Sequence, residues 1–139
     1  MSTVVDEDLW SRCKSMVGHL RHPDHIPYYA GALGGLDEKD PGKAVRVYLV
    51  DGDLVKIQHD MDFVEANNSE ESPSFMPKDT IWLDVTNDPY EWKFNLYHEA
   101  HEYRDMCGGA SYDVAHEKAN AGEKQLRIKF RRQTGKKMP

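Results

Sequence analysis

The chain of 139 residues has few cysteines and no long apolar stretch, and both absences narrow its class. Cys13 and Cys107 are far apart and match no metal-ligand spacing, so we expect a reducing compartment and no disulfide framework. No apolar stretch approaches the roughly 20 residues of a membrane span, and no basic-then-apolar leader opens the sequence. We therefore expect a cytoplasmic protein that does not enter membranes.

Two common functional signatures are also missing. The sequence contains no glycine-rich phosphate loop and no nucleophile-elbow motif. Neither phosphate binding by such a loop nor a serine nucleophile on such an elbow is therefore indicated.

Charge is unevenly distributed along the chain. Residues 1–123 hold all 24 acids and 11 of the 18 bases, whereas 124–139 hold seven bases and no acid. This basic end predicts contact with nucleic acid or another partner, or attraction to the acidic surface of the protein itself. Nucleic acid is the less favoured partner, because Phe130 is the only aromatic residue available for base stacking there. We expect one domain over 1–132 and a basic tail over 133–139.

The first two-thirds of the chain predict one helix and a small sheet. Apolar residues recur at helical spacing over 6–20. Two apolar segments, 45–50 and 54–57, flank the turn-forming residues 51–53 and predict a β-hairpin, and 80–85 predicts a third strand.

The last third predicts two helices with marked ends. Asp88 is a suitable N-cap before Pro89, with Glu91 as a capping-box acid, and the paired glycines at 108–109 end this helix after Cys107. A second helix begins at Ser111 and extends to about residue 132. The predicted fold class is therefore α+β: an N-terminal helix, a small, mostly antiparallel sheet of about three strands, and two C-terminal helices.

These two helices carry the chain's most informative functional pattern. His98 and Glu102 are four residues apart, so they share one helical face, and Glu99 stands beside them. His116 on the next helix is the natural third ligand of a zinc ion. Three protein ligands leave a fourth position for water, whose pKa zinc lowers to about 7, and Glu99 would accept its proton.

Other ligand choices stay open at this point. His101 competes with Glu102, because on an ideal helix they lie about 60° and about 40° from His98, on opposite sides. Glu123 is a further alternate ligand, although it also has the spacing for an ion pair with Arg127.

The helix of residues 89–107 should present its ligands away from its apolar stripe. They then face either solvent or a second layer that contains His116. Ala115 and Ala119 would allow the two helices to approach closely, although alanine at those positions is equally explained by helix propensity.

These residues resemble a loosely described family of small zincin-like proteins from bacterial and phage genomes. The family pattern is H-E-x-x-E followed by Y-x-x-A-H-x-x-A-x-x-x-E, and segments 26–31 and 47–51 are also similar to the family. The resemblance covers roughly two-thirds of the chain and implies a minimal zincin-like fold with a metal site, but no known substrate. The residues that match the pattern are His98, Glu99, Glu102, Tyr112, Ala115, His116, Ala119 and Glu123.

Two functions follow as alternatives. The first is a zinc-dependent hydrolase of a peptide or protein substrate, with His98, Glu102 and His116 as ligands and Glu99 as general base. The second is a non-catalytic module in which the metal only joins two helices and the basic C-terminal helix contacts a partner or nucleic acid. Whether the protein is an enzyme is thus left open by the sequence.

Overall fold

The computed structural model describes residues 6–20, 25–86 and 88–134, the last three by backbone alone. The predicted α+β class is confirmed, with an N-terminal helix, a small sheet and two C-terminal helices. Residues 135–139, most of the predicted basic tail, lie outside the described residues. The elements in chain order are α1 (Glu7–Gly18), β1 (Tyr28–Gly34), β2 (Ala44–Val50), α2 (Gly52–Gln58), β3 (Ala66–Asn68), β4 (Thr80–Asp84), α3 (Pro89–Cys107) and α4 (Tyr112–Thr134).

The sheet has four strands in the order β1-β2-β4-β3, rather than about three. Strands β1 and β2 are antiparallel, as are β3 and β4, but the central pair β2–β4 is parallel. Strand β1 was not predicted, because Gly31 and Gly34 interrupt its apolar pattern. Its register with β2 shifts between Tyr29 and Gly31, and Gly31 has φ 131° there, which suits a glycine.

The predicted hairpin over 45–57 is wrong, because its second half is helical. Asp51 accepts hydrogen bonds from the backbone of Asp53 and Leu54, and it thus caps α2 instead of turning a hairpin. Only Val55 of the apolar residues in 54–57 is buried, while Ile57 is 75% exposed. Short apolar segments do not distinguish strand from helix by their pattern alone. The helix also explains the parallel pair, since parallel strands require a crossover connection.

The main core lies between one face of the sheet and helices α1 and α3. Alternate residues of the central strand β2, Val45, Val47 and Leu49, are fully buried, as period-two alternation requires. Helix α3 contacts α1, β3, β4 and α4, so it is surrounded by protein. Ten consecutive residues of α3, 94–103, are buried as a result. Any polar side chain in this stretch therefore requires a partner.

The ends of α3 agree with the prediction in part. Asp88 accepts a hydrogen bond from the Tyr90 backbone at 2.9 Å, and Pro89 occupies the first turn. Glu91, however, does not act as a capping-box acid. Its two carboxylate oxygens accept hydrogen bonds from Arg127 of α4 at 2.5 and 3.0 Å. This bidentate pair helps to fix α4 against α3.

Basic residues of α4 are used inside the molecule. Arg127 contacts both Glu91 and Glu123, and Lys129 forms an ion pair with Glu7 of α1. These contacts agree with attraction to the protein's own acidic surface, one of the outcomes expected for the basic end. Within the described ranges, no helix combines the length and the apolar character that crossing a membrane requires.

Helices α3 and α4 approach closely through small residues. Ala115 and Ala119 are fully buried, as expected for a close contact. Gly122, one turn further along α4, was not predicted to contribute. A Cβ atom at Gly122 would lie 2.6 Å from the hydroxyl oxygen of the buried Tyr97. The spacing between the two helices therefore depends on glycine at this position.

Replacing Gly122 with alanine should destabilise the protein by about 1–3 kcal/mol, the usual range for overpacking. The helix-propensity gain of up to about 1 kcal/mol would offset only part of this effect. Denaturant unfolding measures the difference. The matched control is Gly18→Ala at the end of α1, where a Cβ would meet no atom within 4 Å. Equal stability changes in the two variants would contradict the close-contact argument.

Candidate metal centre

The candidate site lies between α3 and α4, where three ligand-type side chains meet. His98 and Glu102 stand one turn apart on α3, and His116 projects from the first turns of α4. His98 is 8% exposed and Glu102 only 1%, because α4 covers this face of α3. Of the two arrangements expected for the ligands, the second layer is thus the one observed.

The donor atoms of these three side chains converge on one point. Oε2 of Glu102 lies 2.8 Å from Nε2 of His98 and 2.5 Å from Nδ1 of His116. The two ring nitrogens are 3.2 Å apart. In a tetrahedral zinc site with bonds of about 2.0–2.1 Å, the donors would be about 3.3 Å apart. The observed separations are somewhat shorter, and the three side chains form a group that could hold a metal ion.

Glu99 lies beside this group and is also buried. It is 7% exposed, and burial together with the charge of Glu102 raises its pKa to about 8. No lysine or arginine among the described residues forms an ion pair with either carboxylate. His98 and His116 contact Glu102, but no lysine or arginine balances the two neighbouring acids, so a divalent cation would compensate their charge. The electrostatics of the site thus agree with its donor geometry.

Asn68 on β3 is a site residue that the sequence did not reveal. Its side-chain amide nitrogen donates to Oε1 of Glu99 at 2.9 Å and to Oε1 of Glu102 at 3.4 Å. Its Oδ1 accepts from the backbone nitrogens of Glu70 and Glu71 at 3.0 and 3.1 Å. These two bonds orient the amide so that its donor side faces the acids. No local pattern marks Asn68, which is 31 residues before Glu99.

Glu71 is a second residue that was not predicted, and the bonds at Asn68 bring it to the site. Its carboxylate can meet those of Glu99 and Glu102 in a second group of three ligand-type side chains. Burial and the charge of Glu102 raise its pKa, while a hydrogen bond with Tyr112 acts in the opposite direction. The polar stretch 65–77 thus contains β3 and places Asn68 and Glu71 at the site.

Glu123 is placed behind His98, outside the group of three. Its Oε1 lies 2.9 Å from Nδ1 of His98, and its Oε2 accepts from Arg127 at 2.8 Å. Burial alone would lower the pKa of His98, but contacts with Glu102 and Glu123 outweigh it and raise the pKa to about 10. A carboxylate behind a histidine orients the ring, as in many metal sites. The geometry thus places Glu123 against the far side of the His98 ring, a position that favours orienting that ring over acting as the alternate ligand.

His101 is not brought into the group. Its Nδ1 lies 3.2 Å from Asp105 on the same helix, and its ring packs against Tyr97. Neither group of ligand-type side chains found in the described part of the chain includes His101. Of the two candidates for the second position on α3, the geometry therefore favours Glu102.

A cleft of about 410 Å³ opens over these side chains. This volume lies in the range of sites for small ligands. One wall comes from α3 and α4, and the other from residues 62–71 around β3. The lining includes His98, Glu99, Glu102 and His116, together with Tyr112 and Glu123. The candidate ligands and Glu99 thus line a cavity large enough for a small ligand.

Comparison of the chain with protein-family models, with curated proteins and with solved structures gives no significant match.

Proposed function

We propose that the protein is a zinc-dependent hydrolase that cleaves peptide or amide bonds. The observation that supports this most directly is the convergence of His98 Nε2, Glu102 Oε2 and His116 Nδ1 on one point beside Glu99. Imidazole and carboxylate are ligands that zinc prefers, and three protein ligands characterise its catalytic sites. The site opens into a cleft, whereas a purely structural site would be closed.

When bound, zinc would polarise the substrate carbonyl and activate water at neutral pH. The charge of a bound cation would lower the pKa of Glu99 from about 8 and favour its carboxylate form. This carboxylate would take the proton from the attacking water and pass it to the leaving amine, as a general base and then a general acid. Asn68 would hold the Glu99 carboxylate in place through the bond at 2.9 Å. Glu123 would keep the His98 ring oriented so that Nε2 stays available.

The two cysteines support a cytoplasmic location for the proposed activity. Cys13 and Cys107 are both free in the structure. Unpaired thiols are typical of reducing surroundings. We therefore place the proposed activity in the cytoplasm.

The competing function is a non-catalytic module in which zinc only joins α3 and α4. Basic residues of α4 would then serve a partner or nucleic acid. Arg127 and Lys129 are engaged within the molecule, which reduces the charge that α4 offers to a partner. The open cleft and the buried Glu99 favour hydrolysis over this alternative.

Purification without chelator should yield about one zinc per chain by elemental analysis, since the site offers one set of three ligands. Zinc at 100 times its Kd should stabilise the stripped protein by about 2.7 kcal/mol. Mass spectrometry of a mixed peptide pool should detect cleavage by the zinc-loaded protein and none after chelation. A native protein that contains no metal, and whose thermal unfolding midpoint does not change when zinc is added, would refute the metal site. Tight zinc without cleavage of any peptide would support the non-catalytic module.

A further inference from the structure

The cleft is strongly acidic, even after the proposed metal is considered. No lysine or arginine is among its lining residues. Glu99 and Glu102 face the metal position, and Glu123 is paired with Arg127. The other three acids form no ion pair with a lysine or arginine in the described part of the chain. The six carboxylates that line the cleft belong to Asp62, Glu65, Glu71, Glu99, Glu102 and Glu123.

Glu65 contributes a carboxylate to the end of the cleft that lies near Glu91 and Arg127. It precedes β3, and its backbone is held by a hydrogen bond from the Asp84 nitrogen to its carbonyl at 2.8 Å. Partial burial and the charge of Glu91 raise the pKa of its carboxyl, although Arg127 acts in the opposite direction. The charge on Arg127 is already shared between Glu91 and Glu123. Negative charge at this end therefore exceeds the positive charge available.

Asn95 provides a second and independent observation at the same end. It lies on α3 one turn before His98 and one turn after Glu91, and it lines the cleft. Asn95 is only 7% exposed. Its side-chain amide nitrogen nevertheless has no hydrogen-bond partner within the described ranges. A buried donor without a partner is costly and rare in native proteins. Because Asn95 lines the cleft, rotation of its side chain would allow a ligand carbonyl to accept a hydrogen bond from this nitrogen.

We propose that this end of the cleft is a subsite for a cationic residue of the substrate, an inference that rests on the proposed hydrolase function. Glu65 would pair with a lysine or arginine side chain, or with a free amino terminus, next to the bond that is cleaved. Asn95 would donate its free N–H to a backbone carbonyl of the same residue. The substrate class is thus a basic peptide, and Glu65 and Asn95 are its specificity-determining residues. Opposite charge at such a site raises both affinity and association rate.

The test measures binding separately from cleavage. The zinc-loaded Glu99→Gln protein is used, because it should bind peptides without cleaving them. Fluorescence anisotropy would give its Kd for three series of labelled peptides. The series carry lysine, norleucine or glutamate, respectively, at one position that is moved along the peptide. At low salt, the best lysine peptide should bind about tenfold more tightly than its norleucine counterpart. High salt should reduce this preference, since it screens exposed charge. An acetylated and a free amino terminus distinguish a terminal ammonium from a side-chain cation.

Two variants assign the preference to residues. Adding Glu65→Gln should remove most of the lysine preference and leave norleucine binding nearly unchanged, whereas Asn95→Ala should weaken all three series. The matched control is Glu117→Gln, which removes an exposed acid of α4 that does not line the cleft. Equal affinities for lysine, norleucine and glutamate, or no binding of any peptide, would overturn the subsite.

Cleavage assays on the wild-type protein keep the two proposals apart. A lysine preference that depends on Glu65, without cleavage of any peptide, would support the subsite and refute the hydrolase. Cleavage of all three series with equal kcat/KM would support the hydrolase and refute the subsite.

Discussion

Glutamine at position 99 is expected to lower kcat for peptide hydrolysis by about 100-fold or more while zinc stays bound. General bases typically contribute about 10²–10⁴-fold to the rate. Glu99 is outside the group formed by His98, Glu102 and His116, so its loss should leave the ligands in place. Glutamine retains the size of the side chain and an oxygen that can accept the bond from Asn68. The fall should therefore appear in kcat, measured on protein with its zinc content verified.

Glu102→Gln is expected to have the opposite effect, a loss of zinc and not only of catalysis. It alters a group whose Oε2 contacts both histidines, so zinc affinity itself should fall. Glu117→Gln controls for the loss of one negative charge. If Glu99→Gln lost zinc and Glu102→Gln kept it, the roles of base and ligand would be exchanged.

Removal of the His116 side chain should weaken zinc binding by more than about 100-fold. Loss of a residue that merely orients a ligand costs about 10–100-fold in affinity, and loss of a ligand should exceed this. The side chain of His116 is 41% exposed, so truncation to alanine opens no large internal cavity. Leu126 and the two buried alanines still attach α4 to α3. Competition with a fluorescent zinc chelator gives the affinity, and circular dichroism verifies the helices.

The control for this variant is His25→Ala, which removes an exposed histidine away from the cleft. It should bind zinc as the wild-type protein does. If His116→Ala retained wild-type affinity, the third ligand would have to come from another residue, such as Glu71, which belongs to the second group of ligand-type side chains.

The ends of α3 and the shared face of His98 and Glu102 could be predicted from the sequence, because local chemistry determines them. Capping by Asp88 and the glycines at 108–109 marked the ends of α3, and the four-residue spacing of His98 and Glu102 placed both on one face. The capping and helical spacing rules depend on neighbouring residues alone, which explains why they could be applied without the fold. His116 followed because a connection of only four residues brings the two helices together.

The failures have a physical cause in tertiary contacts. Residues 54–57 satisfy strand preferences, yet the cap at Asp51 and the crossover from β2 to β4 make them helical. Asn68 and Glu71 reach the site only because β3 pairs with β4 and packs near α3. The choice between Glu102 and His101 depended on which side of α3 faces α4. Such contacts between distant residues leave no periodic pattern in the sequence.

The continuous burial of α3 also limits how this protein can change during evolution. The stretch 94–103 supplies core side chains, the proposed ligands and the proposed base, so few of its positions are free to vary neutrally. Stability and the proposed chemistry thus depend on the same helix. The opposite wall of the cleft, around Asp62 and Glu65, is less constrained by packing. Substitutions on that wall should therefore be tolerated more often than substitutions in 94–103, and a change in the proposed substrate preference would arise there with less loss of stability.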